Sequence, residues 1–402
     1  MLPRSTRVLG DAVSVLLAVL AAGACSAGTK DVPADASGGA PQDGPAQGAA
    51  TSAADGARGD AGDTGGRDGA AGAAGDAGAD AGCGVPASFQ WSSTGVILSP
   101  VSDATHDLVA IKDPSIVYYN GKWHVFVSTV AVGGIYSFAY VSFPDFDHTS
   151  SPSFYYLDNN PALVGYHAAP QIFYFRPQNK WYLVFQSGPP QYSTNADVGN
   201  PGGWTAPASF FSGVPDIVQE TGQGGWLDFK VICDSANCYL FFSDDHGSWY
   251  RSQTTIAQFP AGFGNTVVVM HDSNAGRLFE ASNVYYMQGT GKYLALVEAF
   301  DADSSYHRYY RSWTADSLDG TWTPLQDSFA APFASTADVT FPGGRWTDDI
   351  SHGEMIRAGY DETMTIDTCH LQYLYQGADP NAPNDAGYNG IPWRLGLLTK
   401  TN

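Results

Sequence analysis

The first 82 residues contain no aromatic residue; the first in the chain is Phe89. Built of Ala, Gly, Asp and small polar residues, that segment has too little apolar surface to bury a core. Basic residues are scarce throughout, with 19 Lys and Arg against 40 Asp and Glu, for a net charge of −21 at pH 7. Segment 26–82 accounts for −6 of this and residues 1–25 for +1, which leaves −16 on residues 83–402. Such a balance excludes nucleic acid, whose binding depends on cations that neutralise phosphates. It also argues against anionic membrane surfaces and polyanionic substrates, and leaves a neutral ligand or a cation. Long apolar runs are missing: the N-terminal one spans Ala12 to Ala22, too short to cross a bilayer. No stretch repeats apolar residues at helical spacing over three turns, which argues against a helical core.

What is present begins with an export leader. Arg4 and Arg7 form a basic end, the apolar run follows, and it closes on Ala22-Gly23-Ala24-Cys25-Ser26. That ending resembles a bacterial lipobox, in which Cys25 is acylated and becomes the first mature residue, so the protein is expected to be exported, as a cell-surface lipoprotein or secreted. Residues 26–82 read as a disordered linker and residues 83–402 as the folded domain. Beyond Cys25 four cysteines remain, Cys83, Cys233, Cys238 and Cys369, an even number that implies two disulfides in an exported protein. Cys233 and Cys238 flank a four-residue turn, and a bridge between Cys83 and Cys369 would join the two ends of the domain. The spacing matches no zinc signature.

Within the domain one pattern is written five times: a strand, a turn usually holding Gly or Asn, and a second strand rich in aromatics. The copies are KDPSIVYYNGKWHVFVST (112–129), APQIFYFRPQNKWYLVFQS (169–187), LDFKVICDSANCYLFFSD (227–244), FEASNVYYMQGTGKYLALVEA (279–299) and GEMIRAGYDETMTIDTCHLQYLYQG (353–377). Hairpins recurring at this interval predict an all-β, five-bladed β-propeller of four-stranded blades. Segments 137–146, 247–256 and 307–317 read as outer strands of blades. Three copies carry a carboxylate at what reads as the same place, the start of the first strand: Asp113, Asp228 and Glu280. First strands line a propeller's axis, so these acids are expected to meet at one mouth.

Any one of these acids alone reads as a turn carboxylate binding backbone N–H groups; three in equivalent repeats point to a shared site. Apolar surroundings and neighbouring carboxylates shift acid pKa values apart. An acid and a base flanking one bond is what glycoside hydrolysis requires. Aromatics, 13% of the chain, suit sugar faces, although most are expected in blade packing.

The ordered strings IKDPSIVYYNGKW, APQIFYFRPQNKWYLVFQSGP, LFEASNVY, RYYRSWTA, WTDDISHGEMIR, ETMTIDTCHLQYLYQG and NGIPWRLGLLT are similar to the α-L-arabinofuranosidases of glycoside hydrolase family 62, which shares a clan with family 43. The resemblance covers residues 83–402. It implies a five-bladed propeller and an inverting mechanism that removes L-arabinofuranose side groups from arabinoxylan. It implies Asp113 as general base, Glu280 as general acid and Asp228 as the acid that holds and tunes Glu280. Lys112, Arg308, Tyr388 and Asn389 match substrate-binding residues, His352 matches the ligand of a calcium ion on the propeller axis, and Cys83 and Cys369 match a bridged pair. The sequence departs from the family at Ser187, where a wall-forming Trp is usual, at Pro114-Ser115, at Trp226-Leu227 and at the Cys233, Cys238 pair. The rival readings are a family 43-like β-xylosidase or arabinanase, a non-catalytic glycan-binding propeller, and a structural or protein-interaction propeller. A monomer is expected, since no long apolar edge appears.

Overall fold

A computed structural model of the chain describes residues 83–222, 225–300, 307–382 and 387–402. The expected leader, Cys25 and the linker 26–82 lie outside the described residues.

The fold grows from tight hairpins. Leu108–Tyr119 turns into Lys122–Ala131 through Asn120 and Gly121, at φ of 48° and 75°. Positive φ at both central residues matches the right-handed twist of the flanking strands, and Asn-Gly is the pair that adopts it at least cost. With Ile135–Phe143 and Ser153–Tyr156 this hairpin makes blade 1. Blade 2 starts at Ala168–Phe175, blade 3 at Leu227–Cys233, blade 4 at Glu280–Met287 and blade 5 at Ser351–Met355. These innermost strands touch one another in a closed cycle, which is the expected five-bladed propeller.

Aromatic rings fill the wedges between blades. Trp249 of blade 3 lies 4.8 Å from Phe241 and 5.4 Å from Trp322, which leads into the fourth strand of blade 4. Fully burying one such ring contributes on the order of 2–3 kcal/mol.

Three details differ from the sequence reading. The segments taken as outer strands are third strands, with Ser153–Tyr156, Gly264–His271 and Thr323–Ser328 outside them. Blades 4 and 5 exceed four strands. The fifth copy is not a simple hairpin: the residues between Ser351–Met355 and Gln372–Gly377 form a strap across the ring. Arg357 donates to the carbonyls of Ile116 and Ile172, Glu362 O accepts from Cys233 N–H, and Thr365–Ile366 adds a parallel strand to blade 4. The segment thereby satisfies edge groups on four blades at once, which a turn could not do.

The ring closes by mixing chain ends. Trp91–Ser93 pairs antiparallel with Arg394–Lys400 inside blade 5, and Cys83 is bonded to Cys369. Cys233 and Cys238 are cross-strand partners with Cα atoms 4.0 Å apart, and are also bonded.

Candidate active site

Each innermost strand carries a bulge at one depth, between Lys112 and Ser115, Ala168 and Gln171, Leu227 and Lys230, Glu280 and Asn283, and Ser351 and Gly353. In four blades the residue at its start is left-handed: Asp113, Ala169, Asp228 and Ala281, at φ of 51–58°. Such a conformation costs a non-glycine residue on the order of 1–3 kcal/mol and takes its N–H out of the ladder.

That N–H is bound across the blade boundary. Gln376 Oε1 accepts from Asp113 N–H at 2.8 Å, Ser128 Oγ from Ala169 at 2.8 Å and Gln186 Oε1 from Asp228 at 3.1 Å, while Glu298 Oε2 accepts from His352 at 2.7 Å. Each acceptor stands opposite the bulge of the preceding blade, in its second strand. The junction of blades 3 and 4 breaks the rule. Ser243 holds the equivalent place but its hydroxyl has no partner among the described residues, and Asp228 Oδ2 accepts the Ala281 N–H at 2.7 Å.

This geometry corrects the equivalence of the three acids. Asp113 and Asp228 share the left-handed slot. Glu280 precedes it, at the register of Lys112, because Ala281 fills the slot in blade 4. Asp113 also lies within a 12-residue strand rather than at its start, since the hairpin continues outward to the Leu108–Ala131 pair.

The structure nevertheless links these acids through shared partners. His352 Nδ1 is 3.1 Å from Asp113 Oδ1 and 3.9 Å from Asp228 Oδ2, and Lys112 Nζ is 3.5 Å from Asp113 Oδ1. Burial pushes the Asp113 carboxyl up, but Lys112 and His352 outweigh it and hold the group well below the usual carboxylate range. Asp228 is the opposite case: burial raises it, His352 opposes, and the charges of Glu280 and Asp113 add to the rise. Two buried acids that share one histidine neighbour thus take different protonation preferences.

Arg308 Nη1 bonds both Glu280 Oε1 and Glu298 Oε1, and its guanidinium lies over the rings of Phe279, Phe300 and Tyr388. Lys112 Nζ donates to Tyr388 Oη at 2.8 Å, and Tyr136 Oη donates to Asn389 Oδ1 at 3.2 Å. Gly134 allows the approach of Asn389, since a Cβ there would lie 2.8 Å from Asn389 Nδ2. Lys112, Arg308, Tyr388 and Asn389 therefore border one mouth. At the position of the family Trp, Ser187 Oγ donates to the Tyr166 carbonyl at 2.9 Å.

Sequence reasoning missed several members. Glu298, fully buried opposite Glu280, binds Arg308, Ser351 Oγ and His352 N–H. A charge inside LALVEAF was a legible signal for it. Gln186 and Gln376 were legible too, as the last polar residues of aromatic second strands. Asp245, left-handed and beside Glu280, is pushed up to about 9 by burial and by the charges of Glu280 and Asp228; nothing local in SDDHGS pointed to the axis.

His352 Nε2 is buried without a hydrogen-bond partner, and no group of three or more His, Cys, Asp or Glu among the described residues could hold a metal ion. The residues offer a calcium ion one nitrogen, whereas calcium prefers six to eight oxygens.

The profile of Glycosyl hydrolase family 62 matches residues 90–399. Alpha-L-arabinofuranosidase C of Cellvibrio japonicus (strain Ueda107) is 44% identical over 318 residues, 79% of this chain. The chain spans about half (48%) of the length of that curated relative. Among solved structures, the catalytic domain of a Coprinopsis cinerea GH62 alpha-L-arabinofuranosidase superposes with a TM-score of 0.76 at 53% identity, over 79% of this chain and 99% of that one. A Podospora anserina alpha-L-arabinofuranosidase in complex with cellotriose gives 0.75 at 47%, over 79% and 98%. A family match across most of the chain, with a solved family member superposing over nearly its whole length, means that this protein belongs to glycosyl hydrolase family 62.

Proposed function

We propose that the protein is an inverting α-L-arabinofuranosidase that releases L-arabinofuranose side groups from arabinoxylan. The observation that supports this best is the pair of carboxylates at one mouth in different company: Asp113 against Lys112 and His352, and Glu280 against an arginine shared with a second acid. Asp113, held ionised by Lys112 and His352, is the base that deprotonates water. Glu280 protonates the departing oxygen. When Glu280 carries that proton, Arg308 keeps Glu298 as counterion, so no buried charge is left unpaired. Asp228 fixes the backbone one residue past Glu280 through the Ala281 N–H. Inversion needs the two carboxyl groups about 6.5–9.5 Å apart, with water between base and sugar. Lys112, Arg308, Tyr388 and Asn389 supply hydrogen bonds to sugar hydroxyls.

A proton NMR time course with arabinoxylan tests the reading. Early appearance of free β-L-arabinofuranose would support both the hydrolase and inversion. Release of xylose or arabino-oligosaccharides would move the chain to a family 43-like activity, and binding without release to a glycan-binding role.

A calcium ion on the axis belongs to the same proposal; with water as its oxygen ligands it would need His352 neutral, the proton on Nδ1 toward Asp113 and the lone pair on Nε2, which has no hydrogen-bond partner among the described residues. Such an ion would supply fixed positive charge near Asp113 and Asp228. A chelator that leaves the melting temperature unchanged would count against it. Export, acylation at Cys25 and a monomeric state complete the proposal; mass spectrometry of the mature N-terminus and sedimentation test them.

A further inference from the structure

Gln186 is used at both ends. Its Oε1 accepts the N–H of Asp228 at 3.1 Å, and its Nε2 donates to Tyr166 Oη at 2.8 Å. Tyr166 is 48% exposed, yet it is tied at three points: its hydroxyl to Gln186, its carbonyl to Ser187 Oγ, and its ring to Tyr136, 5.8 Å away at 58°. An exposed tyrosine without such ties loses rotamer freedom on binding; here that cost is met in the free protein. Tyr136 in turn lies under the Lys112 ammonium (5.7 Å) and donates to Asn389. The ring of Tyr166 is therefore joined to the site through Tyr136 and through Gln186. Val132, Ile135 and Val164, on the segments that carry the two tyrosines, are exposed as well. Ser187 offers no ring of its own, and its hydroxyl is committed to Tyr166.

We propose that Tyr166 is a specificity-determining residue, an immobilised ring at the mouth on which a xylose unit of the substrate main chain stacks. The inference rests on the arabinoxylan reading for the choice of sugar. It assigns Tyr166 to the main chain rather than to the cleaved arabinose, since its own contacts run to Gln186, Ser187 and Tyr136.

The test compares wild type, Tyr166→Ala and Tyr166→Phe in three measurements. Calorimetric binding of unsubstituted xylohexaose is expected to weaken about 5- to 20-fold in the Ala variant and less than about 3-fold in the Phe variant, which keeps the ring. KM for arabinoxylan is expected to rise by a similar factor with kcat within about 2-fold, and kinetics on a nitrophenyl α-L-arabinofuranoside, which lacks the xylan chain, are expected to be unchanged. Unaltered xylohexaose binding in Tyr166→Ala would overturn the proposal, and so would equal losses on both substrates. The binding readout stands even if wild type releases no arabinose, so failure of the catalytic reading is separable from failure of this one.

Discussion

Asp228 Oδ2 accepts the backbone N–H of Ala281 at 2.7 Å, and this bond joins blade 3 to blade 4 one residue past Glu280. At the other four junctions a second-strand side chain makes the clamp. Here the slot residue of one blade holds the slot of the next. Asp228 is thus a brace on the backbone that carries Glu280. Asp228→Asn keeps an oxygen acceptor and is expected to keep the melting temperature, whereas Asp228→Ala leaves a buried N–H unpaired. Leaving such a donor unsatisfied costs about 1–3 kcal/mol, and the difference between the two variants in thermal unfolding checks it. Both are expected to lose activity on arabinoxylan, since neither keeps a titratable carboxyl beside the Glu280 backbone.

Glu280→Gln removes the proton donor but keeps a partner for Arg308. A loss of about 100-fold or more is expected on arabinoxylan. On an aryl arabinofuranoside, whose leaving group needs little protonation, the loss is expected to be much smaller. Equal losses on both substrates would remove Glu280 from the acid role.

Asp338 gives the chain a pH-dependent stability away from the axis. Ser335 N–H and Oγ–H both donate to its Oδ1, Oδ2 has no partner among the described residues, and burial pushes the carboxyl up to about 6. A raised acid favours the protonated form in the fold. The associated stability is therefore full below about pH 4, the unfolded value, and is lost as pH rises through about 6; the loss amounts to about 3 kcal/mol. Asp338→Asn is expected to abolish that part of the pH dependence, read as the change in urea midpoint between pH 4 and pH 7 in the two proteins.

The two disulfides are expected to contribute unequally. The Cys83–Cys369 bridge closes a sequence separation of 286 and Cys233–Cys238 one of 5. In the chain-entropy picture these contribute about 6 and about 2 kcal/mol. Ser pairs at each site, compared by denaturant unfolding, check the ranking.

Much of this was legible. Asn120-Gly121, the aromatic second strands and the five copies led to blades because hairpin chemistry is local. The acids Asp113, Asp228 and Glu280 stood out as charges in apolar strings. Glu298 stood out no less, but its partner Arg308 lies in the neighbouring strand, and a strand pattern does not reveal register.

The sequence by itself determined the strands, the turns, the number of repeats and the chemical types available at the axis, since propensity and periodicity act over a few residues. Only the tertiary structure decided that Glu280 stands one place before the slot shared by Asp113 and Asp228, that Gln186 ties Asp228 to Tyr166, and that the segment after Met355 straps the ring. Those facts depend on bulges and on bonds between blades, where residues tens to hundreds apart meet and the partner is fixed by ring closure.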